Sequence, residues 1–213
     1  CVDYRGLNAV TIKNGHPLPR IDDLLDQIQG AKYFSSMDLL QGFYQLPLKD
    51  SDRPKTAFKT VFGHYQFRVV SMGLSNAPSV FHRIMNQIFH KQLNKSVLIY
   101  LDDILVFSKT QEEHLQHIKE VLDTIRENNL SLKTKKCHFF RQELKFLGHI
   151  ISKDGIKPDP EKVQAVVDWD EPANQSQVRG FLGMTTYFKR YIKGYAKVAA
   201  PLMELTKDQY KYN

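Results

Sequence analysis

The chain has 213 residues, of which 42% are hydrophobic and 25% charged, with eleven Gly and nine Pro. This composition is typical of a globular protein with a substantial core, and it excludes disordered, collagen-like and low-complexity proteins. The net charge of +7 favours a polyanionic partner without identifying one.

The length of the apolar runs and the number of cysteines indicate the cellular compartment in which the chain is expected. The longest apolar run, Val97 to Leu101, is far shorter than the roughly 20 residues of a membrane span, so no membrane partner is predicted. Two cysteines, Cys1 and Cys137, cannot build a disulfide framework, which favours an intracellular, cytoplasmic setting. Because the chain begins with Cys rather than Met, we expect a fragment of a longer protein.

The sequence of the first third of the chain predicts short helices and strands. A strand is expected at Val2 to Leu7, followed by a polar loop and an amphipathic helix at Ile21 to Ile28. Tyr33 to Asp38 has the composition of a strand. Thr56 to Val70 predicts a hairpin with its turn at Phe62 to His64.

Two longer helices follow. Pro78 opens the first, and Asn76 is a candidate N-cap for it. Thr110 and Glu113 have the spacing of a capping box and begin the second. Between these helices the sequence predicts two apolar strands, at 96–101 and 104–108. Asp102 and Asp103 separate them.

The C-terminal part predicts two further strands and then helices. The strands are at Leu130 to Lys133 and Lys145 to Ser152, and turn residues near Gly155 mark a change of region. We therefore expect one domain at 1–155 and a helical one at 156–213. The predicted helices of the second domain are Pro160 to Trp169, Gln175 to about Lys193, and Ala199 to Leu205. This order predicts an α+β fold, an antiparallel sheet with helices on one face, followed by a helical appendage.

Three aspartates are predicted at strand ends. Asp102 and Asp103 separate the two apolar strands, and Asp38 ends an earlier one. Neighbouring buried carboxylates repel one another unless a cation lies between them. The alternative is a plain hairpin turn, which Asp also suits, although Asp-Asp lacks the Gly of the tightest turns. Hard oxygen ligands suit Mg²⁺, and two such ions about 4 Å apart support nucleotidyl transfer.

Several further segments accompany these aspartates in a fixed order. They are VDYRGLN at 2–8, GLSNAPSVF at 73–81, YLDD at 100–103, FLGH at 146–149, GFLG at 180–183 and YFKRYI at 187–192. Together with Asp38 they closely resemble the palm motifs of reverse transcriptases, and the last two segments resemble gypsy-type LTR retrotransposons. The resemblance covers nearly the whole chain.

The resemblance implies a fold and a reaction. The fold would be a reverse-transcriptase-like palm with partial fingers at 1–155 and a helical thumb at 156–213. The fragment would belong to an RNA-directed DNA polymerase within a Pol polyprotein. The alternatives are a catalytically inactive, nucleic-acid-binding remnant of a retroelement and an RNA-templated RNA polymerase. Implied partners are an RNA or DNA template with its primer, dNTPs, and ribonuclease H and integrase regions in the parent polyprotein.

The resemblance also implies residue roles. Asp38, Asp102 and Asp103 would hold two Mg²⁺ ions, or Mn²⁺, while the primer 3′-hydroxyl attacks the α-phosphate of the dNTP. Residues implied near the nucleotide are Gln41, Gly42, Phe43, Met72 and Lys136. Residues implied against template or primer are Arg5, Gly73, Pro78, Tyr100, Phe146, Leu147, Gly148, His149, Arg179, Lys189 and Arg190. The ring of Phe43 would exclude a ribose 2′-hydroxyl, and either Lys135 or Lys136 would donate a proton to the leaving pyrophosphate.

Overall fold

The computed structural model describes residues 2–15 and 17–207, and its internal contacts divide the chain into two compact units. The first unit is Cys1–Leu144 and the second is Lys145–Asn213. The sequence predicts the change of region somewhat later, near Gly155. The assignment of 1–155 to fingers and palm and of 156–213 to a thumb stays a prediction.

The first unit alternates helices and strands. Its α-helices are α1 (Arg5–Val10), α2 (Ile21–Asp26), α3 (Ala77–Ile88) and α4 (Gln111–Glu127). Its strands are β1 (Tyr33–Asp38), β2 (Phe58–Thr60), β3 (Gly63–Tyr65), β4 (Val97–Tyr100), β5 (Asp103–Ser108) and β6 (His138–Arg141). Short 3₁₀ turns lie at Gly42–Gln45, Asp50–Thr56 and Thr134–Lys136.

A four-stranded antiparallel sheet in the order β4-β5-β1-β6 forms the centre of this unit. Ile104 of β5 pairs with Met37 of β1 on one side and with Ile99 of β4 on the other. Because side chains alternate along a strand, these three apolar residues share one face of the sheet. Asp38 and Asp103 therefore project from the opposite face.

Helices α3 and α4 contribute to the core that covers the apolar face. Phe81 and Met85 of α3, and Val121 of α4, are at most 1% exposed and belong to the same hydrophobic cluster as the sheet residues. Helix α4 begins with the predicted capping box: the Thr110 hydroxyl accepts from the Glu113 N–H, and the Glu113 carboxylate accepts from the Thr110 N–H. The prediction of an antiparallel sheet with packed helices is confirmed.

Asn76 does not cap α3 through its side chain, contrary to the sequence prediction. Its amide oxygen accepts from the Asn14 N–H at 2.8 Å, and its amide nitrogen donates to the Ile12 carbonyl at 2.9 Å. The side chain therefore serves two backbone groups of the N-terminal segment. These contacts tie that segment to the start of α3.

The N-terminal segment is helical where the sequence predicts a strand. Helix α1 begins two residues after Asp3, whose carboxylate accepts the Arg5 N–H at 2.9 Å and so satisfies one of the free donors of the first turn. None of the residues of α1 is buried. A short helix without a buried stripe leaves no helical periodicity in the sequence, which explains the wrong prediction.

The second unit combines a small sheet with helices. Its strands, ordered β7-β8-β9, are β7 (Glu143–Phe146), which crosses the division between the units, β8 (His149–Ser152) and β9 (Gly155–Pro158). Its α-helices are α5 (Pro160–Val167), α6 (Gln175–Thr186) and α7 (Tyr195–Glu204), and a 3₁₀ turn lies at Lys189–Tyr191. Nowhere in the described residues is there a helix long and apolar enough to cross a membrane.

The strand predictions differ from the structure in detail. The predicted hairpin forms from β2 and β3 and is shorter than expected, with its turn at Val61 and Phe62. The single strand predicted at Lys145 to Ser152 is two strands, because the chain turns at Leu147 and Gly148, both of which have positive φ. Strands β6 and β9 were not predicted.

Candidate active site

Two carboxylates face each other across neighbouring strands. Asp38 is the last residue of β1, Asp103 is the first residue of β5, and the antiparallel register pairs them directly. Tyr100, at the end of β4, pairs with Asp103 on its other side. Residues paired in this way have Cβ atoms about 5 Å apart. The sheet thus brings together two acids that lie far apart in the sequence.

The third carboxylate lies in the turn between β4 and β5. Because Tyr100 pairs with Asp103, the two-residue turn consists of Leu101 and Asp102. Leu101 has φ of +56°, an uncommon conformation for a residue with a side chain. The Leu39 N–H donates to the Asp102 carbonyl at 3.3 Å, which connects the turn to the end of β1. The alternative of a plain hairpin turn therefore explains the position of Asp102. It does not explain the position of Asp103, which lies in strand β5.

Burial and the two neighbouring acids perturb Asp103 electrostatically. The pKa of Asp103 rises to about 6, first because burial disfavours its charged form and then because Asp102 and Asp38 repel that charge. Lys136 opposes the rise, and its ammonium lies 3.0 Å from a carboxylate oxygen of Asp38. The pKa of Lys136 is raised in turn, mainly by its hydrogen bond to Asp38. Such a concentration of negative charge favours a bound cation.

The donor set suits a hard divalent ion, although the side chains do not enclose one. Asp38, Asp102 and Asp103 offer only carboxylate oxygens, the ligands that Mg²⁺ prefers. Among the residues that the structure describes, no three ligating side chains are grouped closely enough to hold an ion by themselves. Mg²⁺ commonly keeps waters and shares substrate phosphates, so a site with few protein ligands is compatible with it.

The residues after β1 pack against this acidic centre. Gly42 is buried, and a Cβ built there would lie 3.2 Å from the Cβ of Asp102 and 3.0 Å from the ring of Phe81. Phe43 is half-buried and makes an edge-to-face contact with Phe81, with ring centroids 5.1 Å apart. Phe81 thus supports both residues from α3. In the sequence, the helical spacing of Phe81 indicates only a core position, so its contact with the site could not be predicted.

The other residues implied near the nucleotide differ in their surroundings. Gln41 has φ of +51° and precedes the 3₁₀ turn that carries Gly42 and Phe43. Met72 is 67% exposed. Its side chain is therefore available to a ligand but is not held in place by packing.

The residues implied against the template lie around a turn that α1 supports. Gly73 has φ of +97°, and its hypothetical Cβ would contact the Tyr4 ring at 3.4 Å. The Asn8 amide nitrogen donates to the Gly73 carbonyl at 2.8 Å, and its amide oxygen accepts from the Ser75 N–H at 2.8 Å. Asn8 therefore clamps this turn, a role that no local sequence signal indicates. Pro78 lies in the first turn of α3.

Arg5 takes part in a local ion pair. Its guanidinium lies 2.7 Å from the Asp3 carboxylate, and both side chains are largely exposed. Such a pair is easily exchanged for a contact with a phosphate because surface ion pairs contribute little stability.

The remaining predicted site residues belong to the second unit. Phe146 and His149 are buried, and Leu147 and Gly148 form the turn between β7 and β8. Arg179 is exposed on α6 and donates to the Thr206 carbonyl at 3.0 Å. Lys189 and Arg190 are exposed in the 3₁₀ turn after α6.

Comparison with known proteins identifies similar sequences. The model of the family described as reverse transcriptase (RNA-dependent DNA polymerase) matches residues 1–151. Retrovirus-related Pol polyproteins from the Drosophila melanogaster transposons 297 and opus are each 42% identical to the chain, over 99% and 98% of its length. The polyprotein from transposon gypsy is 37% identical over 98% of it. The chain spans only 20%, 21% and 20% of these three relatives, respectively.

Solved structures share the fold. The foamy viral protease-reverse transcriptase dRH in complex with double-stranded DNA superposes with a TM-score of 0.91, at 23% identity, over 99% of this chain and 37% of that one. The foamy viral protease-reverse transcriptase in complex with an RNA/DNA hybrid gives a TM-score of 0.83, at 22% identity, over 99% and 28% of the two chains.

Proposed function

The chain belongs to the reverse transcriptase (RNA-dependent DNA polymerase) family, and we propose that it contributes the catalytic palm of an RNA-directed DNA polymerase. This enzyme is a nucleotidyltransferase from the Pol polyprotein of a gypsy-type LTR retrotransposon. It adds deoxynucleotides to a primer 3′-hydroxyl and releases pyrophosphate. The cytoplasmic, intracellular setting expected from the sequence belongs to the same proposal.

One observation carries the proposal: the register of β1 and β5 pairs Asp38 with Asp103, next to the Asp102 turn. A structural role alone gives no reason to collect three acids where burial, and then repulsion from Asp102 and Asp38, raises the pKa of Asp103 to about 6. The arrangement favours a site that is completed by divalent ions and substrate phosphates. Asp38, Asp102 and Asp103 are the proposed ligands.

Two Mg²⁺ ions, or Mn²⁺, would supply Lewis-acid activation of the primer hydroxyl and charge neutralisation of the leaving pyrophosphate. The protein contributes the orientation of the reactants. Lys136, held by Asp38 at 3.0 Å, is placed at the acidic centre as a proton donor to the leaving group. This contact favours Lys136 over Lys135 for that role.

Phe43 is the proposed sugar-selective residue. Its ring rests on Phe81, and the neighbouring Gly42 has no side chain to separate it from the Asp102 turn. An aromatic ring fixed beside the acidic centre would collide with a ribose 2′-hydroxyl and would accept a deoxyribose. Discrimination between the two sugars would then be steric.

The proposed partners follow from the same assignment. In the first unit, Arg5, Gly73, Pro78 and Tyr100 are the proposed contacts of a template with its primer. In the second unit, the exposed basic side chains of Arg179, Lys189 and Arg190 favour phosphate contacts. We also propose ribonuclease H and integrase regions in the parent polyprotein.

Primer extension tests the proposal. We would measure extension of a DNA primer on an RNA template with Mg²⁺ and dNTPs, using a longer segment of the Pol polyprotein that includes this chain. Asp102→Asn keeps the size of the side chain and removes its charge, so the extension rate should fall about a hundredfold or more.

Asp123→Asn is the matched control. Asp123 lies on the α4 surface in an ion pair with Arg126, so this variant should extend primers at the wild-type rate. Extension that does not depend on Asp102 would contradict the enzyme assignment. Duplex binding without any extension would instead identify a catalytically inactive remnant.

A further inference from the structure

The turn between β7 and β8 has an unusual backbone. Leu147 has φ of +48° and Gly148 has φ of +78°, so two successive residues adopt the left-handed conformation. This geometry suits the tightest hairpins but is strained for Leu, which persists there only when its surroundings hold it. The residues that hold it therefore decide where the tip of the hairpin lies.

Tyr187, one residue beyond α6, contacts the turn directly. Its hydroxyl donates to the Leu147 carbonyl at 3.1 Å, and its ring stacks on the ring of His149, with centroids 4.7 Å apart. A Cβ on Gly148 would lie 2.6 Å from the Tyr187 hydroxyl oxygen. Tyr187 thus touches three successive residues of the hairpin tip.

Tyr191 fixes the residue that follows the turn. Its hydroxyl shares a hydrogen bond with Nδ1 of His149 at 2.6 Å. His149 is only 2% exposed and begins β8. This bond and the stacking contact set the orientation of the imidazole ring, and with it the first residue of the strand.

Helix α5 supports the same hairpin from another direction. The ammonium of Lys162 lies 4.4 Å from the centre of the Tyr187 ring, a cation–π contact. Lys145 of β7 forms ion pairs with Asp159, the N-cap of α5, at 2.6 Å and with Glu161 at 2.8 Å. The hairpin is consequently held by the two tyrosines at its tip and by α5 through Lys162 and the ion pairs of Lys145.

We propose that Tyr187 and Tyr191 are positioning residues that hold the Leu147–Gly148 turn against the primer terminus. This inference rests on the proposed function, in which residues 146–149 contact the primer. The two tyrosines do not touch the nucleic acid in this role. They act through the backbone of Leu147 and the ring of His149.

Single hydroxyl deletions test the inference. Tyr187→Phe and Tyr191→Phe keep the rings and remove the hydroxyls that bond to Leu147 and His149, respectively. Each should raise the KM for primer-template about three- to tenfold, the fold-change expected from one hydrogen bond, and leave the KM for dNTP within twofold. Tyr195→Phe is the control, because the Tyr195 hydroxyl bonds to Thr185, at 2.9 Å, and not to the hairpin.

The split between the two KM values separates positioning from general stabilisation. A loss of folded protein lowers the active fraction and the melting temperature without changing the KM for primer-template. That result, or equal behaviour of the three Tyr→Phe variants, would overturn the inference.

A second measurement does not require catalysis. The dissociation constant for primer-template should rise in Tyr187→Phe, and the amides of Gly148 and His149 should exchange with solvent faster while those of β1 do not change. If the wild-type protein did not extend primers, the proposed function would fail, and these two measurements would still decide the inference. Unchanged affinity and exchange would overturn it.

Discussion

Gly42 shows how a single missing side chain shapes the candidate site. The backbone at this position passes between the ring of Phe81 and the Asp102 turn, at distances that leave no room for a methyl group. A glycine is needed at position 42 because the backbone lies so close to Phe81 and Asp102, and not because its φ is positive. It allows Phe43 and the carboxylates to lie side by side.

We therefore predict that Gly42→Ala impairs nucleotide addition more than folding. The added methyl group must displace Phe81 or the Asp102 turn, and overpacking of this kind costs about 1–3 kcal/mol. The single-turnover rate should fall about tenfold or more, whereas the free energy of unfolding, measured in urea, should fall only within that range.

Gly183→Ala is the control. Nothing lies within 4 Å of the hypothetical Cβ of Gly183, which is in the middle of α6, so the substitution should leave the rate unchanged and raise stability slightly. A wild-type rate in Gly42→Ala would show that the close approach is not required.

At the scale of single residues, the sequence indicates which residues are candidates for a site better than it indicates which residues they contact. Asp38, Asp102 and Asp103 stand out because acids at the ends of apolar strands are costly. Neither Lys135 nor Lys136 could be preferred from the sequence, because the 3₁₀ turn at Thr134–Lys136 decides which ammonium reaches Asp38. The contacts of Asn8 and Asn76 join distant segments, which no local pattern encodes.

At the scale of elements, a buried polar network joins α4 to the sheet. Both ring nitrogens of His114 are bonded to serine hydroxyls, to Ser35 of β1 at 2.7 Å and to Ser108 of β5 at 2.8 Å. Ser108 also bonds to His117, and the Phe140 N–H of β6 donates to Ser35. The two histidines thus have a structural role that connects α4 with three strands.

Through His114, this network contributes a loss of stability in mild acid, opposite in sign to the contribution of Asp103, whose pKa is raised. Burial, followed by the nearby His117, lowers the pKa of His114 to about 4, below its ordinary value of 6.5. The unfolded chain then binds more protons than the folded one between these values, so the stabilisation is complete above pH 6.5 and is lost as the pH falls towards 4. His114 should contribute a loss of about 2 kcal/mol between pH 7.5 and pH 5.

Urea unfolding at the two pH values measures this contribution. The drop in stability should be smaller in His114→Gln than in the wild type, and His138→Gln, which changes an exposed histidine of β6, should keep the full drop. An equal drop in the wild type and His114→Gln would contradict the assignment.

Helices and strands with a strong apolar periodicity can be predicted from the sequence, whereas those with a weak periodicity cannot. Helices α3 and α4 have apolar stripes and recognisable starts, and β4 and β5 are largely runs of apolar residues. Strand β1 is more polar but begins with two aromatic residues, which favour a strand. Strand β6 is exposed along its whole length, and α1 has no buried residue, so neither leaves a pattern of burial in the sequence. Tertiary contacts determine the secondary structure of such segments.

At the scale of the whole molecule, each of the two units carries residues that are proposed to function. The carboxylates, Lys136 and Phe43 belong to the first unit, whereas the hairpin at 146–149 and the exposed basic residues Arg179, Lys189 and Arg190 belong to the second. The order of motifs along the chain predicted the family, whereas the boundary expected near Gly155 assigned the hairpin at 146–149 to the first domain. It could not predict that contacts divide the chain at Leu144, because that division depends on packing within each unit.

The Mg²⁺ dependence of single-nucleotide addition tests the central claim, that the paired carboxylates of β1 and β5 form a metal-dependent polymerase centre. We would compare the wild type and Asp38→Asn, both within the same longer segment of the Pol polyprotein, on the same RNA template and DNA primer over a range of Mg²⁺ concentrations. Addition should require Mg²⁺, saturate with it in the wild type, and be about a hundredfold or more slower in Asp38→Asn at saturation. Addition that persists in excess chelator, or an Asp38→Asn rate equal to that of the wild type, would contradict the claim.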